Sequence, residues 1–156
     1  MSKTKKILIA LLIIFIAIQF IRPERNLGVA DTTNDIEHAV AVSAEIKNIL
    51  VSSCYDCHSN HTEYPWYFNI QPVAGWINHH IEEGKHKFNL SESKTFKTKR
   101  KLHKLEEMIE QIDTGEMPMS TYTLIHPNAV LSADQKNKLI AWTKESIATL
   151  KDTLKH

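Results

Sequence analysis

Residues 54–58 read Cys-Tyr-Asp-Cys-His, and they hold both cysteines of the 156-residue chain. On a helical turn Cys54 and Cys57 (i, i+3) share a face, and His58, four residues after Cys54, projects beside them. Two thiols so placed can form thioethers to the vinyl groups of one haem while the imidazole reaches its iron, so C-x-x-C-H reads as a c-type haem attachment site. Other uses of these residues fit less well. A zinc knuckle needs four ligands, and with no second C-x-x-C only scattered histidines could complete it. A thioredoxin-like dithiol needs βαβ surroundings, and a structural disulfide leaves the adjacent His unexplained.

Outward from the motif the chain reads as helices. From His38 to Ser52, residues Val42, Ile46, Ile49 and Leu50 recur at helical spacing. A second helix begins near Pro72, a suitable first-turn residue, carries Val73, Trp76, Ile77, His80 and Ile81 on one face, and stops at Gly84. A third carries Leu102, Leu105, Met108, Ile109 and Ile112 and ends before Gly115. The last opens on a capping box, Ser132-Ala133-Asp134-Gln135, followed by Leu139, Ile140, Trp142, Ile147 and Leu150. Only Tyr122 to Ile125 looks extended, and four residues cannot make a sheet. The expected class is all-α, with the helices wrapped around a covalently bound haem.

At the N-terminus Lys3, Lys5 and Lys6 precede an apolar run from Ile7 to Ile21, interrupted by Gln19 and closed by Arg22-Pro23-Glu24-Arg25. This is the pattern of an export segment. As a helix the run spans about 22 Å, short of the roughly 30 Å hydrocarbon core, a length that suits a signal-peptide h-region. The nearest small-x-small site, Gly28-Val29-Ala30, lies well downstream across two arginines and a proline, which favours an uncleaved membrane-anchor helix. The expected organisation is a signal-anchor segment at 1–26, a tether at 27–37 and a haem-binding domain at 38–156. A single pass through the inner (cytoplasmic) membrane would place that domain on the periplasmic, extracytoplasmic side, where bacteria attach haem covalently.

The whole chain carries a net charge of +1, but residues 27–156 hold 14 basic and 17 acidic side chains, or −3. That balance excludes a general nucleic-acid binder. A basic cluster does stand out: Lys94, Lys97, Lys99, Arg100, Lys101 and Lys104, with Lys85 and Lys87 upstream. It reads as a solvated helix face, or as a surface that steers an acidic redox partner or meets anionic lipid.

With His58 as one axial ligand, Met117 leads for the other, because it follows a helix stop and Pro118 stiffens its loop. A Met/His pair raises the reduction potential relative to bis-His, which suits an electron carrier. Met119 is a substitute without a following proline. His80 falls on the apolar face of the second helix, whereas His79 lies off it, and could ligate iron, bond a propionate or satisfy a carbonyl. Tyr64-Pro65-Trp66-Tyr67 could wall the haem, and His126 could anchor a loop or meet a propionate.

These features predict a membrane-tethered monohaem c-type cytochrome, an electron carrier rather than an enzyme, with larger redox proteins as donor and acceptor. Two other classes stay open. One is a haem enzyme or a gas or redox sensor with an open or displaceable sixth ligand. A peroxidase would want a distal His with an Arg partner, and Arg100 is the only arginine after residue 25. The other is a non-haem metal-binding anchor protein.

The order Cys54-Tyr55-Asp56-Cys57-His58-Ser59-Asn60, Tyr64-Pro65-Trp66, Pro72-Val73, Asn78-His79-His80-Ile81, Gly84, Gly115-Glu116-Met117-Pro118, Tyr122 and His126-Pro127 resembles the bacterial haem-binding domain family of small c-type cytochromes. The match runs from about His38 to Leu150. The resemblance implies a cytochrome c-like helical fold, haem c on Cys54 and Cys57, His58 as proximal ligand and Met117 as distal ligand. Gly75 and Ser93 depart from it, standing where that family often has tryptophan.

Overall fold

A computed structural model describes residues 2–29 and 32–155. Among these residues are seven α-helices, four short 3-10 turns and no strand, so the all-α class holds. An antiparallel bridge between Leu27 and His61 is the nearest approach to sheet.

Helix α1 (Lys3–Ile18) opens on Ser2, whose hydroxyl accepts from the Lys5 N–H, and buries none of its side chains. Its sixteen residues rise about 24 Å. Among the described residues no helix is long and apolar enough to cross a membrane, so the expected membrane-anchor helix is not present as a spanning element. The helix is cut short at Gln19, the one polar residue of the run. Its amide donates to Phe15 O and Gln71 O, and its Oε1 accepts from Gln71 N at 2.9 Å, turning the chain toward the domain. Ala30, and with it the end of the candidate cleavage site, lies outside the described residues.

The chain then straps across the domain. Asn26 N donates to the Tyr64 hydroxyl at 2.7 Å, its side-chain amide donates to Ser59 O and Thr62 Oγ1, and its Oδ1 accepts from Lys85 Nζ at 2.6 Å. Asp35 and Ile36, from a stretch without periodicity, are buried in the domain. The Tyr55 hydroxyl lies 2.8 and 3.0 Å from the two Asp35 carboxylate oxygens.

Helix α2 (Ala44–Ser53) starts at the Ser43 cap rather than at His38, since Ser43 Oγ accepts from the Ile46 N–H. Its Ile46, Ile49 and Leu50 meet Leu105 and Ile112 of α5 (Thr98–Thr114) and Leu139, Trp142 and Ile147 of α7 (Ala133–Thr153) in one core. The α5–α7 pair is the most extensive helix contact. Gly115 caps α5 at φ 76°, a left-handed conformation natural to glycine, and the capping box of α7 forms as expected.

Between α2 and α5 lie α3 (Tyr55–His58) and α4 (Val73–Lys87), which pack closely on each other. Helix α4 does not stop at Gly84 but continues to Lys87. Gly84 is instead the contact point: a Cβ there would stand 2.5 Å from the carbonyl oxygen of Cys57. The buried line of α4 is accordingly Ala74, Ile81 and Gly84, while Val73 and Trp76, expected to face inward, are exposed. Residues 122–125 are not extended. Helix α6 (Ser120–Thr123) takes up Tyr122 and Thr123, whose N–H groups donate to Met119 O, because no partner strand among the described residues is there to satisfy them.

Candidate cofactor site

Cys54 is the hinge of the site, ending α2 and preceding α3. Its carbonyl accepts from the N–H groups of Cys57 (3.2 Å) and His58 (2.9 Å), closing the single turn that brings both thiols and the imidazole together. The cysteines are free thiols. Burial and the neighbouring Cys57 push Cys54 up to about 12, while burial and the Asp56 carboxylate push Cys57 up to about 11, so both are protonated at neutral pH.

His58 is oriented by the end of α4. Its Nδ1 lies 3.0 Å from Phe88 O, and a carbonyl can only accept, so Nδ1 carries the proton and Nε2 keeps its lone pair. Burial lowers the imidazole pKa, partly offset by the carbonyls of Phe88 and Gly84. A neutral ring with a fixed tautomer is the form that ligates a metal, and a carbonyl that accepts from the other ring nitrogen fixes the orientation of such a ring.

Cys54, Cys57, His58, His80 and Met117 all line one cavity of about 470 Å³, within the range of cofactor sites. The sequence-predicted site residues, scattered over 64 positions, are thus brought together. Met119 and Met108 line it as well, giving three thioethers in its wall. A smaller hollow of about 70 Å³ adjoins it, sharing Asp56, Cys57, His80, Met119 and Tyr122. His80 stands on this shared wall with its ring edge-on to Trp76 at 4.4 Å, whereas His79 is exposed and paired with Glu83.

The donor set fits a haem: two thiols beside a neutral imidazole, and thioethers on another part of the wall. Lys87 and Lys104 also line the cavity and could meet propionates, although Lys104 Nζ is shared with Glu107 at 2.6 Å. These two belong to the basic cluster, and their charge alone did not distinguish them from its solvated members. Arg100, by contrast, lies over the Phe96 ring at 4.1 Å and does not line the cavity. Among the described residues no group of three or more His, Cys, Asp or Glu side chains is placed to hold a metal ion.

The motif is tied to the methionine loop through Asp56. Its carboxylate accepts from the Tyr122 hydroxyl at 2.6 Å and from Glu63 N at 3.0 Å. Burial and this bond push the Tyr122 phenol far above its ordinary value. Tyr67 pairs its hydroxyl with His126 Nε2 at 2.7 Å, making His126 a loop anchor. Pro65 and Tyr67 line the smaller hollow; Trp66 turns outward.

A family model described as a haem-binding domain matches residues 13–145. The chain belongs to the haem-binding domain family. No curated protein and no solved structure matches it. In this haem-binding domain the matched region runs from within α1 to within α7, so it takes in every residue of the cavity.

Proposed function

We propose that this haem-binding domain carries one haem c, which Cys54 and Cys57 would hold through thioethers and whose iron His58 and Met117 would hold, and that it passes single electrons between redox proteins outside the cytoplasm. The observation that carries the reading is the His58 ring. Its Nδ1–H is held by Phe88 O, and its Nε2 is left for iron in a cavity that both thiols line. When bound, haem would supply a one-electron iron couple whose potential depends on the residues that ligate it. The chain's own residues orient the imidazole, keep it neutral and shield it from water. The export pattern of residues 1–26 supports an extracytoplasmic site, with α1 as a membrane tether of short length.

Denaturing electrophoresis with haem staining, after expression with cytochrome c maturation, tests attachment: stain that persists supports it, and its absence refutes it. A pyridine spectrum of the reduced protein gives the haem type. The sensor or enzyme reading makes a different prediction, rapid carbon monoxide binding to the reduced protein. A six-coordinate haem with Met117 in place binds it slowly.

A further inference from the structure

We propose that the face built from the Trp66–Asn69 turn and the first turn of α4 rests on a lipid surface, so that the domain is held down by its own apolar face as well as by α1. This deepens the tether reading above and rests on it. Trp66 is 76% exposed and Trp76 44%, and Ile70 and Val73 between them are exposed as well. Exposed Ile125 joins the patch, since it lines the smaller hollow with Val73 and Trp76. Isolated apolar residues on a surface need no partner, but a group of this kind marks an interaction site.

The way the chain leaves the domain says what covers it. Gln19, directly after α1, exchanges hydrogen bonds with Gln71, which follows Ile70 and is itself buried, and Gln71 Nε2 donates to Ile21 O at 2.8 Å. Arg22 donates to Asn69 O at 2.6 Å and Arg25 to Asn69 Oδ1 at 2.8 Å. A bilayer that takes up α1, whose residues bury nothing against the protein, therefore ends beside the patch. The helix length agrees. At about 24 Å, α1 is too short to cross a core of roughly 30 Å, so a membrane that holds it keeps the residues flanking its end at the interface. Tryptophan at the interface and arginine at headgroup level are the flanking chemistry that membranes favour. A second copy or a redox protein seated here would have to share the space with the lipid around α1.

The test uses the full-length, haem-loaded chain and vesicles of phosphatidylcholine with phosphatidylglycerol. Wild type is expected to float with the vesicles. In the floated fraction Trp66 and Trp76 should oxidise more slowly than exposed Leu154 under hydroxyl-radical footprinting, although free tryptophan is the more reactive. Trp66→Glu/Trp76→Glu should weaken vesicle partition at least about tenfold, whereas Val51→Glu, at an exposed site on α2, leaves it unchanged. A wild type that floats with both tryptophans fully reactive overturns the lipid-facing surface and leaves the tether standing. Failure to float overturns the tether itself. A dimer that dissociates in the double variant while flotation is unchanged assigns the face to a second copy and overturns the proposal.

Discussion

Gly84→Ala probes the contact that aligns the Cys54–His58 turn with its supporting helix. The added Cβ would stand 2.5 Å from Cys57 O, 3.0 Å from Cys57 C and 3.1 Å from Cys57 Cβ. Ordinary contacts begin near 3.5 Å, so α3 must retreat by about 1 Å. All three neighbours belong to Cys57 itself, two of them backbone, and none is the far end of a flexible side chain. Overpacking of this kind costs about 1–3 kcal/mol, and the upper end applies to unyielding backbone. Removing a glycine from inside a helix returns about 1 kcal/mol, leaving a net loss near 2 kcal/mol. In a domain of this size that lowers the midpoint of thermal unfolding by about 6 °C. Gly75, on the same helix, is the control. A Cβ there meets only Gln71 Oε1, at 3.2 Å, so Gly75→Ala should be neutral or raise the midpoint slightly. Because Phe88 O holds His58 from the same helix end, the retreat should also loosen that hydrogen bond and reduce the yield of haem-stained protein. Thermal unfolding and haem staining of the two variants side by side decide it. A Gly84→Ala protein as stable as Gly75→Ala, with full haem loading, refutes the close-contact reasoning.

Three further outcomes are expected. Met117→Ala should abolish the Met-to-ferric-iron charge-transfer band and lower the potential; an unchanged spectrum moves the assignment to Met119 or His80. Tyr122→Phe removes the 2.6 Å bond to Asp56 and should cost about 1 kcal/mol at this half-buried site. The freed loop should then let imidazole bind the ferric protein faster than wild type, which stopped-flow absorbance measures. Asp35, buried and facing Tyr55, Lys47 and Glu37, has a carboxyl raised above its ordinary 3.8, chiefly by burial. The folded state therefore holds this proton to higher pH than the unfolded chain does, and the stability so gained is present at low pH and lost as pH rises through the raised value. Urea unfolding midpoints should fall across that window in wild type and stay flatter in Asp35→Asn.

The helices were legible because their apolar spacing and caps are local signals. Gly115 and the Ser132–Gln135 box ended and began helices where the residues said they would. Gly84 misled because a glycine that admits a neighbouring backbone has the same letter as one that ends a helix, and only packing tells them apart. Periodicity puts Val73, Trp76 and Ile81 on the inner face; Ile81 is buried there, but the tight approach at Gly84 turns α4 so that Ala74 and Gly84 join it while Val73 and Trp76 are exposed. Asp35 and Ile36 carried no periodic signal, since a short turn buries individual residues without repeating. Of the cavity, the five residues named from the sequence were found together, whereas the hydrogen bond from His58 to Phe88 O could not be read, because any residue has a carbonyl.

The two residues between the cysteines are each bound to a distant part of the chain. Tyr55 grips Asp35 ahead of the motif, and Asp56 grips Tyr122 behind the methionines. A C-x-x-C-H motif with other residues at these two positions would keep the cysteines and the histidine and lose both joints. Across natural variants of this domain, substitutions at 55 should therefore travel with those at 35, and substitutions at 56 with those at 122, while Cys54, Cys57 and His58 vary with neither.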